Sequence, residues 1–518
     1  MRLRARLAKY YAADGRRDPL VIDLPKGGYV PRFQTVERTP DALGVSRKRL
    51  WLAWSAAVIV LAAGALGVWW ALHRNTPIPI AVTPLVNLSH DPDSNYFADG
   101  LTDEIIRNLS IIDGLAVRSR TSSFAVGAKA RSVREIGREL AVDYVLEGSV
   151  LPSGGKLRVD VQFIRVRDDF PIWSSKFERQ VNDVIAIQDE ISLAIVNDLR
   201  LTLGRGRRRY ETSPEAYDFY LHGLAFRQNV KGLNDDRAIT AFEHAIGKDP
   251  SFAPAYAGLA AARAYRSGLF VRDSGDEVPK MRAAAEKAIE MDPLLAEAQD
   301  ALGMANARNG KWSNSEMNFL RAIELEPNDS EAREHFALYL LWPLGRTAEA
   351  IKQLRLAEKA DPLSPEIHAF LGYVLPSAGL YDEAAVHCEE LPLDFPFRSA
   401  YLGRVRLLQG RTTEALRILE VAYQKGVTRG SEVRAFLGLA YARTGRRAEA
   451  EEIAGATNPF NQAVIFAGLG DKELAIEAME RSTAAGPFRV GRQLNWPELA
   501  SIKDDPRIKL LRQQVGLP

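Results

Sequence analysis

A repeat constrains this 518-residue chain more than any other feature. Asp249-Pro250, Asp292-Pro293, Glu326-Pro327 and Asp361-Pro362 recur at intervals of 43, 34 and 35 residues. A period near 34 closed by proline is that of two antiparallel helices per unit, which bury their apolar faces only by stacking on neighbours. In the unit ending at Pro327, the small residues Gly303, Gly310 and Ala322 let helices approach, and Phe319 fills the gap between units. Ala350, Leu354 and Ala357 follow in the next unit, then Leu371-Gly372 with Ala384, Leu402-Gly403 with Ala415, and Leu437-Gly438 with Tyr441 and Ala450. The nine extra residues of the long interval are expected as a loop around Val271 to Pro279. Ala463 to Ala485 reads as a last, degenerate pair. Residues 210–490 thus hold seven to eight hairpins, and Trp496 to Val515, within 491–518, reads as a C-terminal cap.

This pattern resembles the tetratricopeptide repeat family. The resemblance implies a solenoid whose concave face binds a protein partner and supplies no chemistry by default. The residues themselves leave partner binding and self-association into a homodimer equally open.

A second constraint is Leu50 to Leu72, 23 residues without a charge. As a helix it would rise about 34 Å, against a bilayer core of about 30 Å. Trp51 and Trp54 near one end, and Trp69 and Trp70 near the other, suit the two membrane interfaces. Arg47, Lys48 and Arg49 abut the first end. Net charge is +2 overall, but residues 1–49 carry twelve Lys/Arg against five Asp/Glu. That asymmetry puts the N-terminus in the cytoplasm and residues 75–518 outside the inner membrane of a bacterium. A single membrane span is therefore expected, with 36–49 as the linker into it.

Residues 1–35 read as a basic helix, a strand over Leu20 to Leu24, a Gly-rich turn and a second strand over Tyr29 to Phe33. Leu3-Arg4-Ala5-Arg6-Leu7 and Gly28 to Phe33 (GYVPRF) resemble the recognition helix and wing of an OmpR-type winged helix. The resemblance implies DNA contact by Arg2, Arg4, Arg6, Lys9 and Lys26, from helix and wing. The first helices of that fold would precede Met1, so DNA binding is expected if the native chain is longer. Read as residues alone, the segment is a basic anchor for anionic lipid.

Residues 78–204 alternate between strand and helix patterns. Ile78 to Leu85 and Leu115 to Arg120 read as strands, and Asn95 to Ile112 as a helix with Phe97, Leu101, Ile105, Ile106 and Leu109 on one face. Ser132 and Glu135 make a capping box. Tyr144 to Leu151 and Lys156 to Val166 form a hairpin, Pro171 to Phe177 an edge strand, and Val181 to Leu203 a closing helix. Tyr96 to Asp103 (YFADGLTD), Arg120 to Phe124 (RTSSF) and Val133 to Leu140 (VREIGREL), running to Leu146–Val150, resemble the TolB-N-terminal-like (FlgO-like) domain.

No enzyme is expected. Asp99, Asp103 and Glu104 cluster at a helix start, where the macrodipole accounts for acids, and Asp168 and Asp169 pair in a loop. His90 reads as a solvated loop residue. Gly204 to Arg209 lacks P-loop spacing and reads as a linker. Cys388, the single cysteine, falls at a packing position, and the remaining histidines are scattered, so no cofactor or metal is indicated.

The expected fold class is multidomain: a single transmembrane helix, an α/β TolB-like module and an all-α tetratricopeptide repeat solenoid. That order resembles the CadC-like membrane regulators, which implies a signal-transducing transcriptional regulator. It also resembles proteins with a kinase or nucleotide-cyclase domain at the cytoplasmic end, a domain this sequence does not contain. The alternative is a cell-envelope scaffold without DNA binding.

Overall fold

The computed structural model describes residues 2–27, 30–35, 77–89, 95–112, 114–127, 132–153, 156–180, isolated positions within 187–194, 210, 212–228, 236–267, 277–426 and 432–517. They fall into two units, within 1–76 and within 77–518.

The first unit is α1 (Arg2–Ala12), a 3₁₀ turn, and an antiparallel hairpin of β1 (Leu20–Asp23) and β2 (Arg32–Thr35). Ile22 N–H donates to the Tyr11 hydroxyl at 3.0 Å, and the Arg4 guanidinium donates to the Pro25 carbonyl. The second strand starts at Arg32 rather than Tyr29. Pro31 has no N–H to give the ladder, so pairing begins after it. Leu3, Val30 and Phe33 stay exposed, as expected of three elements too small to enclose a core.

The second unit opens on a six-stranded sheet of order β5-β3-β6-β7-β8, with the short β4 also on β6. β3 (Ile78–Val82) runs parallel to β5 (Leu115–Val117) and to β6 (Tyr144–Ser153), as does β4 (Val86–Asn87) to β6. β6, β7 (Lys156–Arg165) and β8 (Phe170–Gln180) form an antiparallel meander, with β8 at the edge. Leu157, Val159, Val161 and Phe163 are buried while Arg158 and Gln162 face solvent. α2 (Asn95–Ser110) covers one face of the sheet, burying the five apolar residues read from its period. α3 (Arg120–Gly127) and α4 (Val133–Glu139) cover the other, over Ala81, Val145 and Ile164. Ser132 and Glu135 form the capping box. The β5 strand stops at Val117, short of Arg120. Arg118 N–H still donates to Ile80 O at 2.8 Å, but its guanidinium and the Ser119 N–H bond to a neighbouring helix end, and a helix starts at Arg120. The expected closing helix lies largely outside the described residues; Ile187 and Ile191, which are described, are buried.

Among the described residues eight helix pairs follow: α5/α6 (Pro214–Gln228, Arg237–Lys248), α7/α8 (Ala253–Ser267, Glu277–Met291), α9/α10 (Ala296–Arg308, Trp312–Leu325), α11/α12 (Ser330–His335, Thr347–Ala360), α13/α14 (Pro365–Val374, Tyr381–Glu390), α15/α16 (Arg398–Leu408, Thr412–Gln424), α17/α18 (Glu432–Arg443, Arg447–Gly455) and α19/α20 (Pro459–Leu469, Lys472–Arg481). α11 runs on through a π-helical turn, Phe336–Leu341, marked by Trp342 N–H bonding to Ala337 O at 2.9 Å. The expected loop to Pro279 ends earlier, because α8 begins at Glu277. Its other residues, 271–276, lie outside the described residues. The chain ends with α21 (Pro487–Leu494), a 3₁₀ turn (Pro497–Leu499) and α22 (Pro506–Gln514). Cys388 is fully buried against Gly372, and burial pushes its thiol up to about 12.

One part of the expected fold class is corrected. Among the described residues no helix is long and apolar enough to cross a membrane. The longest, α2, has 16 residues, roughly 24 Å against a core of about 30 Å. The described architecture is a sheet-containing region joined to an all-helical solenoid, without a transmembrane helix. The stretch 50–72 with Trp51, Trp54, Trp69 and Trp70, and the flanking Arg47, Lys48 and Arg49, lie outside the described residues.

Candidate functional site: the inner face of the solenoid

The solenoid meets the rest of the second unit along two sides. The first is the row of closing turns that gave the sequence its period. Ser122 donates to Asp361 and accepts from Leu363 N–H at 3.0 Å. Arg118 donates to Lys359 O at 3.0 Å, and Asn328 to Leu115 O at 2.9 Å. The string Arg120 to Phe124 is thus an attachment helix for the repeats, a role its sequence did not disclose.

Deeper in this seam sits a charge network. Glu297, on α9, takes Arg107 at 3.2 Å and also pairs with Arg227. Tyr220 donates to Glu104 at 2.8 Å. Burial raises the Glu297 pKa, but Arg227 and Arg107 outweigh it and hold the carboxyl at about 2. Burial pushes Glu104 up, against Arg107 and Tyr220. Asp103 lies 3.9 Å from Arg120. Of the acidic residues on α2, Glu104 reaches the repeats through Tyr220, while Asp103 pairs with Arg120 within the module. Asp168 pairs with Arg165 at 2.8 Å in an exposed turn.

The second side is the face lined by the first helix of each pair. The C-terminal segment is not confined to the end of the stack; its first part, through Glu498, lies along this face. Phe488 stacks on Tyr339 at 4.7 Å, and Asn495 donates to Trp342 O at 2.6 Å. Trp496 packs against Tyr373 (5.5 Å), Phe436 (5.4 Å) and Phe460 (4.7 Å). Those partners belong to α11 and its extension, α13, α17 and α19. Gly491 is needed for the approach, because a Cβ there would meet Pro343 O at 2.6 Å. Beyond Trp496, Arg507 reaches Glu473 on α20 at 2.9 Å, and Trp312 Nε1–H donates to Gly516 O at 2.6 Å.

Arg404 and Glu498 anchor the segment. Arg404 Nε and Nη2 donate to the two Glu498 oxygens at 2.7 and 3.0 Å, and Nη1 to Tyr373 O at 3.0 Å. The side chains are 1% and 0% exposed. The guanidinium also lies 4.1 Å from the Trp496 ring centroid. A bidentate, fully desolvated pair beneath an aromatic lid is a strong, directional contact. The π-helical turn of α11 falls where Phe488 and Asn495 dock, and such turns recur at functional positions.

Of the residues expected to contact DNA, Arg6, Lys9 and Lys26 are exposed, while Arg4 is turned onto Pro25. Arg2 opens α1. The histidines are less scattered than their spacing implied. His368 and His387, on α13 and α14, approach to 3.1 Å between Nδ1 atoms.

Residues 78–193 match the family described as HilA/YgeH-like transcriptional regulator, second domain. Residues 337–394 match the tetratricopeptide repeat. A protein of Rhizobium meliloti (strain 1021) named "Putative adenylate cyclase 3" is 39% identical over 185 residues, 35% of this chain and 32% of that one. Superkiller protein 3 of Schizosaccharomyces pombe (strain 972) is 31% identical over 122 residues, 24% of this chain and 8% of that one. The chain thus spans about a third or less of the length of these curated relatives. A tetratricopeptide repeat protein from Parabacteroides merdae superposes with a TM-score of 0.36 at 14% identity, covering 46% of this chain and 93% of that one. The chain carries a tetratricopeptide repeat interaction domain and a region like the second domain of a transcriptional regulator.

Proposed function

We propose that this chain is the partner-sensing part of a transcriptional regulator, and that its own C-terminal segment occupies the partner site. One observation carries the reading: Trp496 and Glu498 are seated on Arg404, Tyr373, Phe436 and Phe460 along the inner face. The face accepts a helix followed by a 3₁₀ turn that presents an aromatic ring and a carboxylate two residues apart. A partner carrying that pair displaces the chain's own copy. The seam on the closing turns then couples the occupied or released face to the regulator-like module. Output is assigned to DNA contact through Arg6, Lys9 and Lys26, whose exposed cations suit phosphate.

The test uses the full chain and a labelled peptide of residues 486–518. Trp496→Ala weakens the internal segment, so the peptide binds this variant and not the parent. Adding Arg404→Ala abolishes binding. Equal binding to parent and variant, or to neither, overturns the reading and leaves the repeats as a scaffold.

A further inference from the structure

Three helices of two adjacent repeats converge on a polar cluster at the surface of the solenoid. Glu358 comes from α12, His368 from α13 and His387 from α14. His368 Nδ1 lies 3.1 Å from His387 Nδ1 and 3.7 Å from Glu358 Oε1. His387 Nδ1 lies 3.5 Å from the same oxygen. The three donor atoms therefore form a near-equilateral triangle. A tetrahedral ion bound at about 2.0–2.1 Å sets its donors about 3.3 Å apart, so this triangle matches one face of such a tetrahedron. Glu390, also on α14, brings Oε2 to 3.4 Å from His368 Nδ1.

The surrounding contacts prepare the nitrogens. His368 Nε2 lies 3.1 Å from Pro362 O. That carbonyl takes the ring proton, which leaves a lone pair on Nδ1. The side chains of His368, His387 and Glu358 are 16%, 12% and 29% exposed. An ion can enter, yet the donors are held by packing.

We propose that Glu358, His368 and His387 form a divalent metal site of zinc type, with Glu390 or water as the fourth ligand. Two imidazoles with a carboxylate favour Zn²⁺ over Mg²⁺ or Ca²⁺, which take oxygen donors. A bound ion would cross-link α12 to the α13/α14 hairpin and so tie one repeat to the next.

The test uses the untagged full chain, stripped with chelator and titrated with Co²⁺ and with Zn²⁺. The expected result is saturable binding of one ion, with the intense visible absorption of tetrahedral Co²⁺ and a Zn²⁺-dependent rise in Tm. His387→Gln and Glu358→Gln should each weaken binding by at least the roughly 100-fold that losing an outer-shell partner can cost, and His244→Gln should leave it unchanged. Circular dichroism verifies that each variant folds. The absence of saturable uptake, an octahedral Co²⁺ spectrum, or equal affinity in all variants overturns the site and leaves a simple histidine–histidine hydrogen bond.

Discussion

The solenoid is gripped by its own chain on two sides, and the two grips differ in chemistry. Along the closing turns the contacts are ionic and hydroxylic, spread over Arg107, Arg118, Ser122, Arg227, Glu297 and Asp361. Along the inner face they are aromatic rings around one buried ion pair, Arg404–Glu498. Distributed bonds of modest strength make a permanent attachment, since losing one leaves the others. A single anchor under an aromatic lid can be displaced whole by a competitor offering the same two groups.

The largest effect should come from the lid. Trp496→Ala removes a buried indole packed on three rings and should cost about 4 kcal/mol of the segment's local stability. Amide hydrogen exchange over residues 487–499 reads this directly. The comparison breaks if exchange at the closing turns rises as much as in the segment.

Glu498→Gln should follow at about 3 kcal/mol, because it leaves the Arg404 guanidinium buried with no counter-charge. The double variant Arg404→Met, Glu498→Leu should recover most of that loss, since an apolar pair of similar volume avoids desolvation. Thermal unfolding with exchange of 487–499 separates the outcomes. A double variant as weak as the single one would show that the pair contributes through its hydrogen-bond geometry and not its charge balance.

On the seam, Glu297→Gln should cost about 2 kcal/mol by leaving Arg107 and Arg227 without their shared carboxylate. Acid tests the same bond. The Glu297 pKa is held at about 2 in the folded chain, below the ordinary 4.5. Its contribution is fully present above about pH 4.5 and is lost as pH falls from there through 2. Exchange of α2 and α9 amides should rise over that window in the parent and change less in Glu297→Gln. Identical acid profiles would remove Glu297 from the account.

How much of this could be read from the chain follows from the range of each interaction. The repeats were legible because Gly303, Phe319 and the Asp-Pro or Glu-Pro turns act within one unit. The strand alternation of β7 and the Ser132–Glu135 cap are local in the same sense. The place of the C-terminal segment was not legible: Glu498 meets Arg404 across 94 residues, and nothing near Trp496 marks it as an inner-face ligand. Nor were His368 and His387, 19 residues apart on different helices, which no single-helix spacing would pair. At Arg120 the local pattern reads as a strand's end, where the bond from Ser122 to Asp361 accompanies a helix instead.

The smallest effect discriminates most finely, because it compares two neighbouring hydroxyls. Ser122 Oγ serves Asp361 and Leu363 N–H together. Ser122→Ala strips one donor from a buried carboxylate and an acceptor from a backbone amide, and should cost about 1 kcal/mol. Ser123, one residue on, is equally buried, and its Oγ has no hydrogen-bond partner among the described residues. Ser123→Ala should therefore be neutral or slightly stabilising, since it removes a desolvated hydroxyl that gains nothing. Chemical unfolding of the two variants side by side decides whether the module is fastened to the repeats by this specific bridge. Equal losses would mean that the closing turns hold it by burial alone.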